Sequence, residues 1–323
     1  MKTDQPRTVR IGTRASELAL WQTNWVAGKL RERFPAVQIE IVTIKTIGDK
    51  ILDAPLSTIG DKGLFIKEIE VALLENRVDL AVHSLKDVPT LVPEGLALGA
   101  ITRREDVRDV FIAHPDKKHK SFDDLPPGAS VATGSLRRKC QLLRLRPDIR
   151  IMDIRGNLNT RFRKLGESDW DGMILAKAGV TRLGWSEKIT EVFPADRVLP
   201  AVGQGALALE IRAADKQTKK IIGALNHDAT EQSTRGERAL LRRLEGGCQI
   251  PIGTYGRIEK DEFFLDAIVG TIDGKKTVRG KIHGASEDAE ALGQRLAETL
   301  LAGGADEILQ TIRLGSIPVI PVV

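Results

Sequence analysis

Short runs of β-branched and other apolar residues alternate with helical patterns through the first two-thirds of this chain. Strands are predicted at residues 9–11, 37–44, 78–82 and 96–101, with helices at 16–34 and 64–75. The pattern then restarts, with strands at 131–133, 149–154, 173–176 and 206–211 and helices at 136–146 and 158–165. This alternation predicts an α/β fold with largely parallel sheets.

The last hundred residues have a different pattern. Helices are predicted at 215–225 and 230–244, then strands at 263–269 and 277–282, and a helix at 286–301. Strands that cluster before a final helix predict a small separate α+β domain. The length of 323 residues also favours two or three domains over one core.

Composition and charge limit the classes of function that we expect for this chain. The net charge of +5 suits anionic ligands, whereas 4% aromatic residues argue against base stacking, so we expect no nucleic-acid partner. The first twenty residues carry charges throughout, and no apolar run reaches the roughly 20 residues that span a bilayer. Two distant cysteines make no disulfide framework, and the five histidines show no metal-ligand spacing. We therefore expect a cytoplasmic protein without a membrane segment or a metal site.

Arginines beside hydroxyl residues follow three of the predicted strands. The segments are 13–16, 133–138 and 155–161. Any one could be a helix cap with solvated arginines, as Ser135 before Arg137 and Arg138 would be. Three such segments at the carboxyl ends of strands would meet in one crevice of an open α/β fold, where guanidinium groups bind carboxylates. The set therefore predicts an anion-binding cleft.

Lys86 and Asp87 follow the buried strand at 78–82. They could form a structural ion pair before Pro89. Alternatively, the carboxylate could hold a positive charge or an N–H group inside a cleft.

Cys248 lies between a Gly-Gly pair and a Pro-Ile-Gly turn. A thiol on such a loop has little side-chain cover and is suited to covalent attachment. The loop at 45–63, which contains Lys62, is long for a connector. It is either a mobile lid or a solvated surface loop, and the spacing does not distinguish the two.

Together these segments resemble the porphobilinogen deaminase (hydroxymethylbilane synthase) family. The matching stretches are residues 11–16, 18–22, 61–65, 81–89 (AVHSLKDVP), 133–138 (TGSLRR), 155–157 (RGN), 199–205 and 245–253 (EGGCQIPIG). They cover nearly the whole chain and occur in order, which makes the set specific although each piece by itself is weak.

The resemblance implies an enzyme that joins four porphobilinogen molecules head to tail, releases ammonia at each step and yields the linear tetrapyrrole hydroxymethylbilane. It also implies a dipyrromethane cofactor, held by a thioether to Cys248. Each pyrrole unit carries an acetate and a propionate. Loss of ammonia leaves a cationic substrate fragment that Asp87 would stabilise while also binding pyrrole N–H groups.

The resemblance assigns the remaining site residues. The catalytic residues would be Asp87, Arg14 and Lys86. The cofactor would be bound by Cys248, Lys86, Asp87, Ser84, Thr133, Ser135, Arg137, Arg138 and Arg161. The substrate would be bound by Arg14, Ser16, Gln22, Lys62, Arg155, Arg182 and Gln204, with the loop at 45–63 as the lid.

The family fold implies two domains like those of type II periplasmic binding proteins, joined by a hinge, and a third domain that bears the cysteine. The boundaries would be 1–102 with 203–222, then 103–202, then 223–323, in a monomer. A competing hypothesis is a bilobed solute-binding or effector-sensing module, which needs neither Cys248 nor Asp87. Nonspecific nucleic-acid binding is another, and it predicts a steep salt dependence.

Overall fold

Three sheets organise the computed structural model, which describes residues 7–50, 66–244 and 250–315. The strands are β1 (Thr8–Thr13), β2 (Gln38–Thr43), β3 (Leu80–Ser84), β4 (Leu96–Ile101), β5 (Asp109–Ala113), β6 (Ser130–Ala132), β7 (Arg150–Met152), β8 (Gly172–Ala176), β9 (Glu191–Val192), β10 (Leu207–Arg212), β11 (Ile252–Glu259), β12 (Glu262–Gly270) and β13 (Thr277–Ala285). The α-helices are α1 (Glu17–Arg33), α2 (Ile47–Lys50), α3 (Lys67–Leu74), α4 (Leu136–Leu145), α5 (Leu158–Gly166), α6 (Lys177–Arg182), α7 (Lys216–Gly223), α8 (Asp228–Arg243), α9 (Ala289–Leu300) and α10 (Asp306–Gly315).

The first two sheets share one topology within the described residues. Their strand orders are β2-β1-β3-β10-β4 and β7-β6-β8-β5-β9. In each, the first three strands are parallel, and the fourth runs antiparallel to both of its neighbours. The expectation of largely parallel sheets is therefore correct except for β5 and β10.

The two reversed strands follow the connections between the sheets. The chain leaves the first sheet after β4 and enters the second as β5, then leaves after β9 and returns as β10. The first sheet is thus built from two separate stretches of sequence. Two connections cross between the sheets, an arrangement typical of bilobed proteins with a hinge.

The C-terminal unit is an antiparallel meander, β11-β12-β13, packed against α8 and α9. The fully buried Phe263 and Leu240 lie in its core. Strand β11 is absent from the sequence prediction because Gly253 and Gly256 interrupt its apolar pattern. A Cβ at Gly256 would lie 2.7 Å from the Ser233 carbonyl oxygen, so the close approach of α8 requires glycine there.

The other differences from the sequence prediction concern element ends and short elements. Strand β3 begins at Leu80 and continues through Ser84, so His83 lies inside the sheet and contacts buried Glu210, with 3.0 Å between Nε2 and Oε2. Strand β5, helix α6 and helix α10 were not predicted. None of the helices in the described ranges is both long and apolar enough to cross a bilayer.

Candidate active site

A cleft of about 590 Å³ lies between the first two sheets, at the ends of β1, β3, β6 and β8. Its described lining includes one acidic side chain, Asp87, and a set of basic side chains: Arg14, Lys45, Lys86, Arg138, Arg155, Arg161 and Arg182. This imbalance favours a ligand with several negative charges. The arginine segments at 13–16, 133–138 and 155–161 each contribute to this cleft.

Arg138 enters the cleft from the first turn of α4. Ser135 caps this helix, and its Oγ accepts a hydrogen bond from the Arg138 amide at 3.5 Å. The buried guanidinium donates from Nη2 to Asp109 Oδ1 at 2.8 Å and from Nη1 to the Ile174 carbonyl at 3.1 Å. Its Nε has no hydrogen-bond partner among the described residues. A carboxylate bound beside Arg138 would supply this buried donor with an acceptor.

Arg137, Thr133 and Ser135 lie beside the cleft and are absent from its described lining. Arg137 contacts the other oxygen of the same carboxylate: its Nη1 donates to Asp109 Oδ2 and to the Leu199 carbonyl, both at 2.7 Å. Burial lowers its pKa, and Asp109 opposes that shift. Thr133 Oγ1 accepts from the Ser135 amide at 3.2 Å. Their predicted contacts to a cofactor stay predictions.

The segment after β7 brings Arg155 and Arg161 to the cleft. Asn157 caps α5 by accepting from the Thr160 amide at 2.9 Å, which fixes the start of the helix. Arg161 donates from Nε to the Gly156 carbonyl at 2.8 Å. Burial and the neighbouring Arg138 lower the pKa of Arg161 to about 10, against the opposing effect of Asp87. The Arg155 Nε is buried and forms no hydrogen bond within the described part of the chain.

Lys86 and Asp87 lie on the single helical turn that follows β3. No described side chain forms a hydrogen bond or salt bridge with either of them. Burial in the cleft lowers the pKa of Lys86, Asp87 raises it, and Arg138 lowers it further. The ammonium can therefore bind a ligand carboxylate, and the exposed carboxylate of Asp87 can accept an N–H group.

Polar side chains complete the wall formed by α1, β3 and α6. Gln22 Nε2 donates to Ser84 Oγ at 2.9 Å, and Ser16 caps α1 by accepting from the Ala19 amide at 3.4 Å. Arg182 donates from Nη2 to the Gly205 carbonyl at 2.7 Å and lies over Trp21, 5.9 Å from the ring centroid. Burial lowers the pKa of Arg182 to about 10. Arg14 lines the same wall.

Two groups near the cleft were missed by the sequence interpretation. Lys45, the first residue of the predicted lid loop, was not predicted as a site residue, yet it lines the cleft just after β2, and the strand-end rule applied to this strand would have found it. Asp109, fully buried on β5, contacts Arg137, Arg138 and Gln204, and no local motif marks it. Lys62 and Cys248 lie outside the described residues, as does most of the predicted lid loop.

Comparison with known proteins shows to which family the chain belongs. A family model described as porphobilinogen deaminase, dipyromethane cofactor binding domain, matches residues 9–220, and the model for the C-terminal domain of the same enzyme matches 232–302. The chain belongs to the porphobilinogen deaminase family. It is 54% identical to the porphobilinogen deaminase of Chlorobaculum parvum over 95% of this chain and 98% of that one. It is 51% identical to that of Geotalea uraniireducens over 95% of both chains.

Membership of this family gives the activity and the cofactor. The protein is a transferase that condenses four porphobilinogen molecules to hydroxymethylbilane with release of ammonia, and its cofactor is dipyrromethane. Among solved structures, the methionine-binding protein MetQ aligns with a TM-score of 0.45 and 14% identity over 72% of this chain and 95% of that one. That likeness is too distant to bear on the function.

The residues present fit this cofactor. Dipyrromethane carries two acetates and two propionates, and the cleft presents basic side chains from several elements. Arg138 Nε is buried without a hydrogen-bond acceptor in the described ranges, and there Arg155 Nε, also buried, has only a long ion pair with Asp153 Oδ2 at 3.8 Å. Unpaired buried donors are costly, and a carboxylate in the cleft would satisfy them.

Proposed function

We propose that this cleft holds the dipyrromethane cofactor and the growing pyrrole chain, and that Cys248 is the attachment point through a thioether. The observation that carries the proposal is the described lining of the cleft, in which seven basic side chains accompany a single carboxylate, Asp87. A polyanionic chain of pyrroles requires many carboxylate-binding donors. Its cationic reaction centre requires one negative group.

The basic side chains have the role of binding acetates and propionates. Arg138, Arg155 and Arg161 come from the second sheet, whereas Arg14 and Lys86 come from the first. A chain bound through both sets bridges the two sheets. Ser16, Ser84, Gln22, Arg182 and Gln204 supply further hydrogen-bonding groups to the substrate and cofactor. Lys62 would add a cation from the lid.

Asp87 has the central role in the chemistry. When bound, the cofactor supplies the nucleophilic pyrrole carbon to which substrate units are added. The Asp87 carboxylate accepts pyrrole N–H groups and stabilises the positive charge that develops as ammonia leaves the substrate. Lys86 holds a neighbouring carboxylate, and its lowered pKa reflects the desolvation that strengthens both interactions.

The same proposal includes the domain boundaries, the oligomeric state, the cellular location and the partners of the protein. Domain one comprises 1–102 with 203–222, domain two 103–202, and domain three 223–323 with the cofactor thiol. The protein acts as a cytoplasmic monomer on the small molecule porphobilinogen, without a nucleic-acid or membrane partner.

Intact mass spectrometry of the purified chain tests the attachment. Native protein should be heavier than its sequence mass by two linked pyrrole units, and Cys248→Ser should lack this addition. Cys140→Ser is the matched control, because Cys140 is buried and its surroundings raise the pKa of the thiol to about 11, which leaves it unreactive. An unmodified native mass that persists after incubation with porphobilinogen would reject the thioether and favour a solute-binding module.

A further inference from the structure

Asp109 lies beneath the cleft and is fully buried. Its Oδ1 accepts from Arg138 Nη2 at 2.8 Å and from Gln204 Nε2 at 2.9 Å, while Oδ2 accepts from Arg137 Nη1 at 2.7 Å. Burial by itself would raise its pKa, but the two guanidinium groups outweigh burial and hold the pKa below the usual range. The carboxylate is therefore ionised at neutral pH.

The Gln204 side chain has one possible amide orientation at this position. Its Nε2 donates to the Val107 carbonyl at 2.7 Å as well as to Asp109. Both partners are pure acceptors, so the nitrogen must face them. The amide oxygen Oε1 therefore points away from these two acceptors. It is buried and has no hydrogen-bond partner among the described residues. Gln204 is 1% exposed and lines the cleft.

We propose that Asp109 is a positioning residue that holds Gln204 so that Oε1 accepts the pyrrole N–H of the substrate ring. This inference rests on the proposed function of the cleft. Pyrrole N–H groups are donors, and the charged side chains in the described lining are all donors except Asp87. Asp87 supplies a charged acceptor, and Gln204 supplies a neutral one that satisfies an otherwise unpaired buried oxygen.

The Asp109 Oδ1 oxygen also sets the relative positions of two groups that we propose bind the substrate. Asp109 Oδ1 receives both Arg138 and Gln204, so it fixes the spacing between a carboxylate-binding guanidinium and an N–H acceptor. A pyrrole with an acidic side chain presents this same pair of groups. Asp109 is thereby placed to select a ring with N–H over a similar ring without it.

The test is the binding of two unreactive ligands to the holoenzyme by titration calorimetry. One is a pyrrole with the acetate and propionate side chains but no aminomethyl group, and the other is the corresponding furan, which has oxygen in place of N–H. Wild-type protein should prefer the pyrrole by about tenfold, the effect of one hydrogen bond to a buried acceptor. In Gln204→Met and Asp109→Asn the preference should fall to about threefold or less.

The ratio is measured within each variant, so a reduced active fraction does not affect it. Asp106→Asn is the matched control, because Asp106 pairs with Arg108 and Lys177 and does not line this cleft. It should keep the wild-type preference. If Asp109→Asn does not fold or lacks cofactor by intact mass, Asp109→Glu is measured in its place. It keeps a carboxylate for Arg137 and Arg138 but moves the oxygen that receives Gln204, and we expect the preference to fall there as well.

Each other outcome has a distinct meaning. An unchanged preference in Gln204→Met rejects the acceptor role of Oε1. A preference that persists in Asp109→Asn, or in the Asp109→Glu variant measured in its place, makes Asp109 a structural counter-ion and overturns the proposal. If the wild-type holoenzyme binds neither ligand, the proposed function of the cleft fails instead.

Discussion

Arg104 and Glu237 form a buried ion pair that joins the first connection between the sheets to the C-terminal unit. Nη1 donates to Oε1 at 2.7 Å and Nη2 to Oε2 at 3.2 Å. The same carboxylate accepts from the Gly203 amide in the returning connection and from the Gly256 amide on β11, both at 2.7 Å. One fully buried side chain thus anchors both connections to the unit that is proposed to bear the cofactor thiol.

Glu237→Ala should strongly destabilise the protein. It removes the acceptor of two amides and the carboxylate partner of Arg104, whose guanidinium keeps, among the described residues, only the Gln204 and Gly256 carbonyls. Breaking a buried pair costs about 3–5 kcal/mol. Urea denaturation measures the loss. Glu32→Ala is the control, because Glu32 forms an exposed pair with Lys29 and its removal should change the free energy of unfolding by less than about 1 kcal/mol. Equal effects in the two variants would show that the buried pair does not anchor the connections.

Asp87→Asn should keep the fold and lose turnover. The side chain is exposed and makes no hydrogen bond with the described residues, so the melting temperature should not change, whereas loss of the charge should lower kcat by about 10²–10⁴. Porphobilinogen consumption measures kcat. Asp261→Asn is a suitable control, because Asp261 lies in the β11–β12 turn at a φ of 67°, a conformation that asparagine tolerates equally. Near-normal turnover in Asp87→Asn would remove Asp87 from the mechanism.

Asp171 should make the free energy of unfolding of the protein depend on pH. Burial raises its pKa, but hydrogen bonds from Lys117, the Ser130 amide and His119 outweigh burial and hold the pKa at about 2. A carboxylate with a lowered pKa contributes stability that is complete above its unfolded pKa of about 4 and is lost as the pH falls towards 2.

Urea denaturation of wild-type and Asp171→Asn protein between pH 2 and 6 tests this. The difference in the free energy of unfolding should be largest above about pH 5 and should shrink towards pH 2. A difference that is constant across the range would mean that the lost hydrogen bonds, and not the charge, explain the variant.

Gly205→Ala should destabilise the returning connection and disturb the cleft. Gly205 has a φ of 92°, and a Cβ there would lie 2.5 Å from the Glu105 carbonyl oxygen. Left-handed strain of about 1–2 kcal/mol and this backbone clash should together cost about 3 kcal/mol or more. The Gly205 carbonyl also accepts from Arg182, so KM for porphobilinogen should rise.

The Gly184→Ala variant measures the cost of the left-handed backbone strain without a backbone clash. Gly184 has a φ of 74°, and a methyl group added there would meet open space, so its substitution should cost about 1–2 kcal/mol without altering KM. If the two alanine variants unfold at the same urea concentration, contact with Glu105 is not what requires glycine at position 205.

Local pattern was enough to predict many of the elements. Helix α1 agrees with the predicted 16–34 because Ser16 provides a cap. The antiparallel direction of strands β5 and β10 could not be predicted from the sequence. It depends on which sheet each strand joins after the chain crosses between the sheets. Similarly, the two neighbouring arginines of α4 look equivalent in sequence, yet only Arg138 is in the described lining of the cleft.

The sequence by itself determined the alternation of elements, the three arginine segments at strand ends and the motifs that mark the family, since these depend on neighbouring residues. The tertiary structure decided the ion pairs beneath the site. Asp109 lies 28 residues from Arg137 and 95 from Gln204, and Arg104 lies 133 from Glu237. Burial makes such pairs strong, but burial is a property of the packed chain, and residues this far apart in sequence carry no local signal of their contact.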